Sequence, residues 1–453
     1  MSVSPKLPTP RPLNSRPIVR FTLHRGLPRA AAVCACLALL AVAGGCGGKK
    51  RQAAEKAEAL PLQSFARQWA TDLQLKRDTL ASLHVREGAI FAYTRQGRVA
   101  ALGRDTGSIQ YWVTVKGGAN RLHPPIVMDQ RLAFRRSISA PKYKEAERWE
   151  VIEAVPVVFP AVTTLEIYDR NRGDFVSSVD LKAAIRSDAV GANGVVFLGG
   201  AYKGGARGAA LDITQPYVAV KWEVMFPQGS ISAAPALRGD TVYFAGENGS
   251  VIAVSTADRR AVWPLRGGEF QTGGAVVADL AVDDEALYVA STDTKLYALN
   301  NKTGKIRWQY YAGAALRSSP AVTSDTVYQF VPGIGLAALS KTQGAFDRRP
   351  SWVAEDCTQF LAQDERNAYL RRRDGAVVAR DKKTGEVKFT SRRRNAVFAT
   401  NTSKEDGVVY AATKQGRVLA IKPVLKPGVV GEVVRMEEQT IGAEPVALAS
   451  EQD

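Results

Sequence analysis

The sequence predicts an all-β protein, an eight-bladed β-propeller of four-stranded blades, with seven blades as the fallback count. Three observations predict it. A block of the order Pro-Ala-hydrophobic then Asp-Thr-Val-Tyr recurs, at Pro235 to Tyr243 and again at Pro320 to Tyr328. Tryptophans recur at spacings of 43 (Trp69 to Trp112), 41 (Trp222 to Trp263), 45 (to Trp308) and 44 (to Trp352). Between them lie short runs of alternating polarity, rich in β-branched and aromatic residues and separated by Asp/Asn/Gly turns. Alternation of period two makes these runs strands, and a period in the low forties with four strands per unit is how a propeller reads in sequence.

The elements follow in chain order. Residues 1–45 read as a signal peptide of the lipoprotein type. Six basic residues (Lys6, Arg11, Arg16, Arg20, Arg25, Arg29) and no acidic ones precede an uncharged run of small and apolar residues, 30–45. That run is shorter than the roughly 20 residues a membrane-spanning helix needs, and it ends in small residues. Val42-Ala43-Gly44-Gly45-Cys46 resembles a bacterial lipobox, which implies lipidation of Cys46. Residues 46–64 are the expected tether, 65–422 the propeller, and 423–453 a C-terminal tail of weak strand character. Cys34 and Cys36 would leave with the signal and Cys46 would carry lipid, so Cys357 would remain single and form no internal disulfide.

Seven complete units begin near Ser82, His123, Ser187, Ser232, Gly273, Ser318 and Cys357. An eighth begins near Val397 and stops before its fourth strand. The missing strand is available at 65–73, so pairing of the N- and C-terminal strands would close the ring and remove two open edges. Trp69, Trp112, Trp222, Trp263, Trp308 and Trp352 all fall at or near a fourth strand. Phe389 stands four residues beyond Gly385, as Trp308 stands beyond Gly304. A large aromatic there is expected to cover the contact between neighbouring blades. The 110-residue gap from Trp112 to Trp222 holds two units and an insertion placed at 137–162. The glycine run Gly199-Gly200 and Gly204-Gly205-Ala206-Arg207-Gly208 is expected to be a flexible hairpin tip.

The order Pro-Ala-Val, Asp-Thr-Val-Tyr, Leu-Tyr-Ala-Leu-Asn-x-Lys-Thr-Gly-Lys-x-x-Trp resembles the PQQ-type propeller repeat over roughly residues 65–422. Among lipoproteins with this repeat, the chain is similar in size and layout to the BamB-type subunit of the outer-membrane β-barrel assembly machinery. That resemblance implies a non-catalytic periplasmic scaffold, anchored by lipid to the outer membrane, with envelope proteins as partners. Gly47 after the lipidated cysteine is implied to suit outer-membrane sorting. The segments implied to contact the barrel-forming subunit fall at 228–235, which lacks the family's Leu and Arg, and near Ala275 and Val277, where the family is acidic.

Catalytic chemistry finds little support. The competing class is a quinone (PQQ)-dependent dehydrogenase or a ligand-sensing propeller, yet no two cysteines are adjacent and the inter-blade segments are short. No cofactor is expected. His84 and His123 stand far apart without metal-ligand spacing, and Asp283-Asp284-Glu285 reads as a capped tight turn. The glycine run lacks the spacing of a phosphate loop. The net charge of +17 permits attraction to anionic surfaces, but export and the lack of interleaved exposed aromatics disfavour nucleic acid. Two features bear on partners of a monomeric propeller: Trp149, in the charged insertion, reads as a docking element or as part of a tolerated insertion, and Arg371-Arg372-Arg373 and Arg392-Arg393-Arg394 read as a contact for an anionic surface or, more readily, as solvated strand edges that block edge pairing.

Overall fold

The computed structural model describes residues 65–116, 123–137, 149–181, 184–202, 205–226, 229–264, 268–391, 396–402 and 405–424. The chain divides into two units, residues 1–58 and 59–453, and every described residue belongs to the second. The signal segment, Cys46, the tether, most of the tail and Arg392, Arg393 and Arg394 lie outside the described residues.

The described elements are strands, grouped into eight four-stranded antiparallel blades that form an eight-bladed β-propeller. Blades 1 to 7 each take four strands in chain order, from Leu80–Arg86 of blade 1 to Val387–Ser391 of blade 7. Blade 8 has three strands from the C-terminal end, Ala396–Ala399, Val409–Thr413 and Arg417–Pro423. Its fourth is Phe65–Asp72 from the other end of the chain, running antiparallel with Trp69 opposite Ala420. Pairing the two ends removes edges that an open array would leave exposed.

Each blade buries both faces of its middle strands. Ala89–Thr94 and Ala286–Ala290 are buried at every position, so they read as apolar runs rather than as half-buried alternation. Facing blades share the clusters between them, such as Phe91, Tyr93 and Tyr111 of blade 1 against Val157, Phe159 and Tyr168 of blade 2. Because successive strands reverse direction, the turns between strands 1 and 2 and between strands 3 and 4 share one face of the ring. The turns between strands 2 and 3 and the inter-blade loops share the other.

Two insertions differ from the sequence reading. Blade 2 carries an extra hairpin, Leu132–Ser137 paired with Trp149–Ala154, between its first strand (Ile126–Val127) and its second (Pro156–Pro160). The insertion thus starts and ends earlier than 137–162, because 156–160 is a core strand whose apolar run gave no turn signal. In blade 6 a loop after the third strand carries Asp347–Arg348, which pairs in parallel with Gln309 and Tyr310 on the outer edge of blade 5.

Of the glycine run, Gly199, Gly200, Gly205 and Gly208 lie within the paired strands Val195–Tyr202 and Gly205–Asp212 of blade 3 rather than in a loop, and Gly204 lies outside the described residues. Glycine is required there by packing. A Cβ on Gly199 would stand 2.1 Å from Ile231 Cγ2, and one on Gly208 would stand 2.7 Å from Phe244 Cδ1.

Candidate functional site

The repeated aromatics sit at the seams between blades. The Trp69 indole N–H of blade 8 donates to the Arg104 carbonyl of blade 1 at 3.1 Å. Trp222 donates to Thr256 O at 3.0 Å, Trp263 to Asn301 O at 3.0 Å and Trp352 to Lys382 O at 2.9 Å, each on the next blade. In every case the acceptor opens the turn between strands 3 and 4 of that blade. The ring then covers the turn's tip. A Cβ on Gly107 would lie 2.3 Å from the Trp69 ring and one on Gly385 2.5 Å from Trp352, and both glycines have positive φ. Trp308 is buried on blade 5 with the Arg348 guanidinium 5.4 Å from its ring centre, and Phe389 meets Phe65 of blade 8 edge-on at 5.2 Å.

Trp112 departs from this pattern. Its neighbour Tyr111 pairs with Ala101 just before a strand irregularity, as Trp308 pairs with Ala298, and Tyr111 covers Gly173 of blade 2. Trp112 points the other way, half-buried against the blade 8–blade 1 cluster with Arg98 stacked 4.3 Å over its ring. The four-residue step from the turn glycine, from Gly107 to Tyr111, marks the seam residue; the 43-residue spacing between tryptophans conceals it.

A second set of seam contacts had no sequence reading. The residue after the third strand reaches back to the preceding blade. Arg104, itself buried, donates to Tyr410 Oη at 3.1 Å and Asn401 Oδ1 at 2.9 Å of blade 8. Lys341 meets Asp283 at 2.7 Å and Lys382 meets Asp325 at 2.9 Å. Asp283 also caps its own turn, accepting from the backbone N–H groups of Glu285 and Ala286.

The innermost strands and inter-blade loops gather a polar cluster that the sequence scattered. His84 on the first strand of blade 1 lies edge-on to Tyr93 at 4.9 Å and bonds Ser82 Oγ at 2.9 Å. Tyr93 Oη donates to the His123 carbonyl at 3.2 Å, and His123 Nδ1 bonds Asp188 Oδ1 of the next loop at 2.7 Å. Two loops on, Asp279 accepts from Ala234 N at 2.9 Å, and its own N–H donates to Ser319 Oγ at 2.9 Å. His123, Asp188, Ala234, Asp279 and Ser319 all stand shortly before a first strand, and their contacts join blade 2 to blade 3, blade 4 to blade 5 and blade 5 to blade 6. Burial, with the Arg86 charge adding, pushes His84 down to about 4, so the imidazole is neutral at neutral pH. Burial also raises the Asp279 carboxyl and lowers Arg86.

The contacts of this cluster tie inter-blade loops to one another. Among the described residues no three His, Cys, Asp or Glu side chains converge as a metal site. Cys357 is a single buried thiol pushed up by burial, with Asp356 adding, to about 12, far from a nucleophilic thiolate at neutral pH. The donor set of a calcium–quinone site, with its paired cysteines, therefore does not fit the residues described.

The expected contact residues lie on both faces. Trp149 is 42% exposed on the inserted hairpin, beside Val151 at 62%, while Phe134 and Ile152 turn inward. Ion pairs Arg136–Glu150 (2.7 Å) and Arg131–Glu153 (3.6 Å) brace the hairpin. On the opposite face, Arg372 is held by Asp356 at 2.9 Å, Arg371 lies 5.6 Å over Phe398, and Arg373 is exposed. Hairpin and arginines are not brought together.

A family model described as the outer membrane protein assembly factor BamB matches residues 162–310 and 271–426, more than half of the chain. None of the curated proteins compared matches it. The solved structure of BamB from Moraxella catarrhalis superposes with a TM-score of 0.57 at 17% identity, covering 79% of this chain and 98% of that one. The quinohemoprotein alcohol dehydrogenase from Comamonas testosteroni superposes at 0.52 and 12% identity, over 82% and 79% of the two chains. Sqt1 from Saccharomyces cerevisiae reaches 0.53 at 12% identity, over 80% and 100%. At these identities the superpositions establish the fold alone.

Proposed function

The chain belongs to the family of the outer membrane protein assembly factor BamB, and from that premise we propose that it is a non-catalytic periplasmic scaffold serving outer-membrane β-barrel protein assembly. The family match carries this reading. The residues agree with it: contacts such as His123–Asp188 and Ala234–Asp279 tie neighbouring loops together, and exposed apolar and basic side chains stand on an inserted hairpin and a blade turn. The anchor in this proposal is lipid on Cys46 at the outer membrane, with 46–64 as a tether and envelope proteins as partners of a monomeric propeller. Trp149 with Val151 and the exposed Arg373 are the contact residues on the two faces, and Arg392, Arg393 and Arg394 complete the basic set.

Affinity capture of the full chain from native envelope extract, with a Cys46→Ser control and mass spectrometry, tests the reading. Stoichiometric recovery of a barrel-assembly subunit, lost in the control, is the expected result. Enrichment of unrelated envelope components alone would overturn it.

A further inference from the structure

The seam between blades 2 and 3 differs from the other seven. Trp69, Tyr111, Trp222, Trp263, Trp308, Trp352 and Phe389 each close one seam, but the matching residue of blade 2 is Ser177. The register leaves no doubt of the match: Ser177 pairs with Ile167 just before a strand irregularity, as Trp308 pairs with Ala298. Ser177 is only 6% exposed and its hydroxyl has no hydrogen-bond partner. Along this seam a cleft of about 560 Å³ opens, a volume in the range of small-ligand sites.

Part of its wall is the surface an aromatic covers elsewhere, and Asp180, Arg207 and Glu223 line its polar side. Pro216, Tyr217 and Val218 belong to the blade 3 turn between strands 3 and 4, the element on which the preceding aromatic lies at Gly107, Gly173 and Gly385. Val220, paired with Leu211, corresponds to Ile306, paired with Leu299. Ile306 packs in the cluster of Trp263, whereas Val220 is 48% exposed and Tyr217 62%. The turn keeps the backbone pattern of the other seams, with Ile213 itself buried. Ile213 N donates to Gly194 O as Asn301 N donates to Glu285 O, which puts the Ile213 carbonyl at the repeat position that accepts the indole N–H from Trp263.

We propose that this cleft is a docking site for an aromatic side chain, tryptophan above all, presented by a partner polypeptide. The other seams supply the argument for the occupant: the fold lays a fourth-strand ring on this turn seven times, and the fourth strand of blade 2 supplies none; Phe134 of the blade 2 hairpin fills the buried side of the seam with Ile213, and the cleft stands beside it over Pro216, Tyr217 and Val220. An aromatic anchor in a desolvated apolar pocket is the usual centre of a protein contact. The proposal deepens the scaffold reading and rests on it for the source of the ring.

The test uses the full chain and a short soluble peptide carrying one 5-fluorotryptophan, followed by 19F NMR. Saturable broadening or shift of the fluorine signal is expected, weakened by about tenfold or more in Val220→Asp and in Tyr217→Ser. Ser177→Trp, which supplies the ring from within, is expected to abolish it, and Tyr311→Ser on a distant blade edge to leave it unchanged. No saturable change with the unaltered protein would overturn the proposal. So would equal binding by Val220→Asp and Tyr217→Ser variants that melt like the unaltered protein; either one suffices if the other does not fold. Because the peptide brings its own ring, binding without capture of an assembly subunit would retain the site and remove the scaffold reading.

Discussion

Replacing Trp69 by alanine is expected to open the ring at the place where the two ends of the chain meet. Trp69 is nine-tenths buried, and its ring covers Gly107 of blade 1 while its N–H bonds Arg104 O. A buried indole removes about 200 Å² from water, worth about 5 kcal/mol at about 25 cal/mol per Å². The lost hydrogen bond adds about 1 kcal/mol, and relaxation of the site takes some of the sum back. A net loss of about 4 kcal/mol is expected. Trp112→Ala removes the same residue type from blade 1, but from a half-buried position under Arg98, and is expected to cost about 1–2 kcal/mol. Urea midpoints followed by circular dichroism give the difference. Hydrogen exchange should show deprotection concentrated in Phe65–Asp72 and Arg417–Pro423 for Trp69→Ala only. A Trp112→Ala variant as destabilised as Trp69→Ala would refute the assignment of the seam residue to Tyr111.

Two further outcomes follow from buried groups. His84 is depressed from 6.5 to about 4, so the unfolded chain takes up a proton that the folded one refuses. Stability therefore falls as pH drops from about 6.5 to about 4, by about 3 kcal/mol in all from this residue. His84→Gln should flatten that interval of the urea-midpoint profile, and a profile parallel to that of the unaltered protein would count against a neutral, buried imidazole. Cys357, buried and pushed up to about 12, should resist iodoacetamide at pH 8 in the folded protein and react in urea, read by intact mass. Labelling at equal rates in both states would refute the buried placement.

Much of the architecture was legible because a propeller writes its blade into the chain repeatedly. Eight units, the Asp-capped turn at Asp283 and the borrowed fourth strand of blade 8 could all be read from turn residues and period-two runs. Errors arose where one copy departs from the rest. Trp112 is one residue out of phase because a tryptophan spacing was followed rather than the distance from Gly107. The blade 2 insertion was misplaced because Pro156–Pro160 is buried on both faces and carries no alternation. The glycines of 199–208 looked like a loop because nothing nearby in sequence reveals Ile231 and Phe244 pressing on them.

By itself the sequence determined the all-β class and the blade count, since these depend on local periodicity and on a unit repeated along the chain. Only the tertiary structure decided which way each aromatic faces, because a strand irregularity of one residue reverses the side on which the next side chain emerges. It also decided that His123, Asp188 and Asp279 stand in inter-blade loops near His84 of the first blade 1 strand, and that Ser177 leaves its seam without a fourth-strand ring. Those facts depend on contacts between different blades, and closure of the ring brings such positions together whatever their separation along the chain.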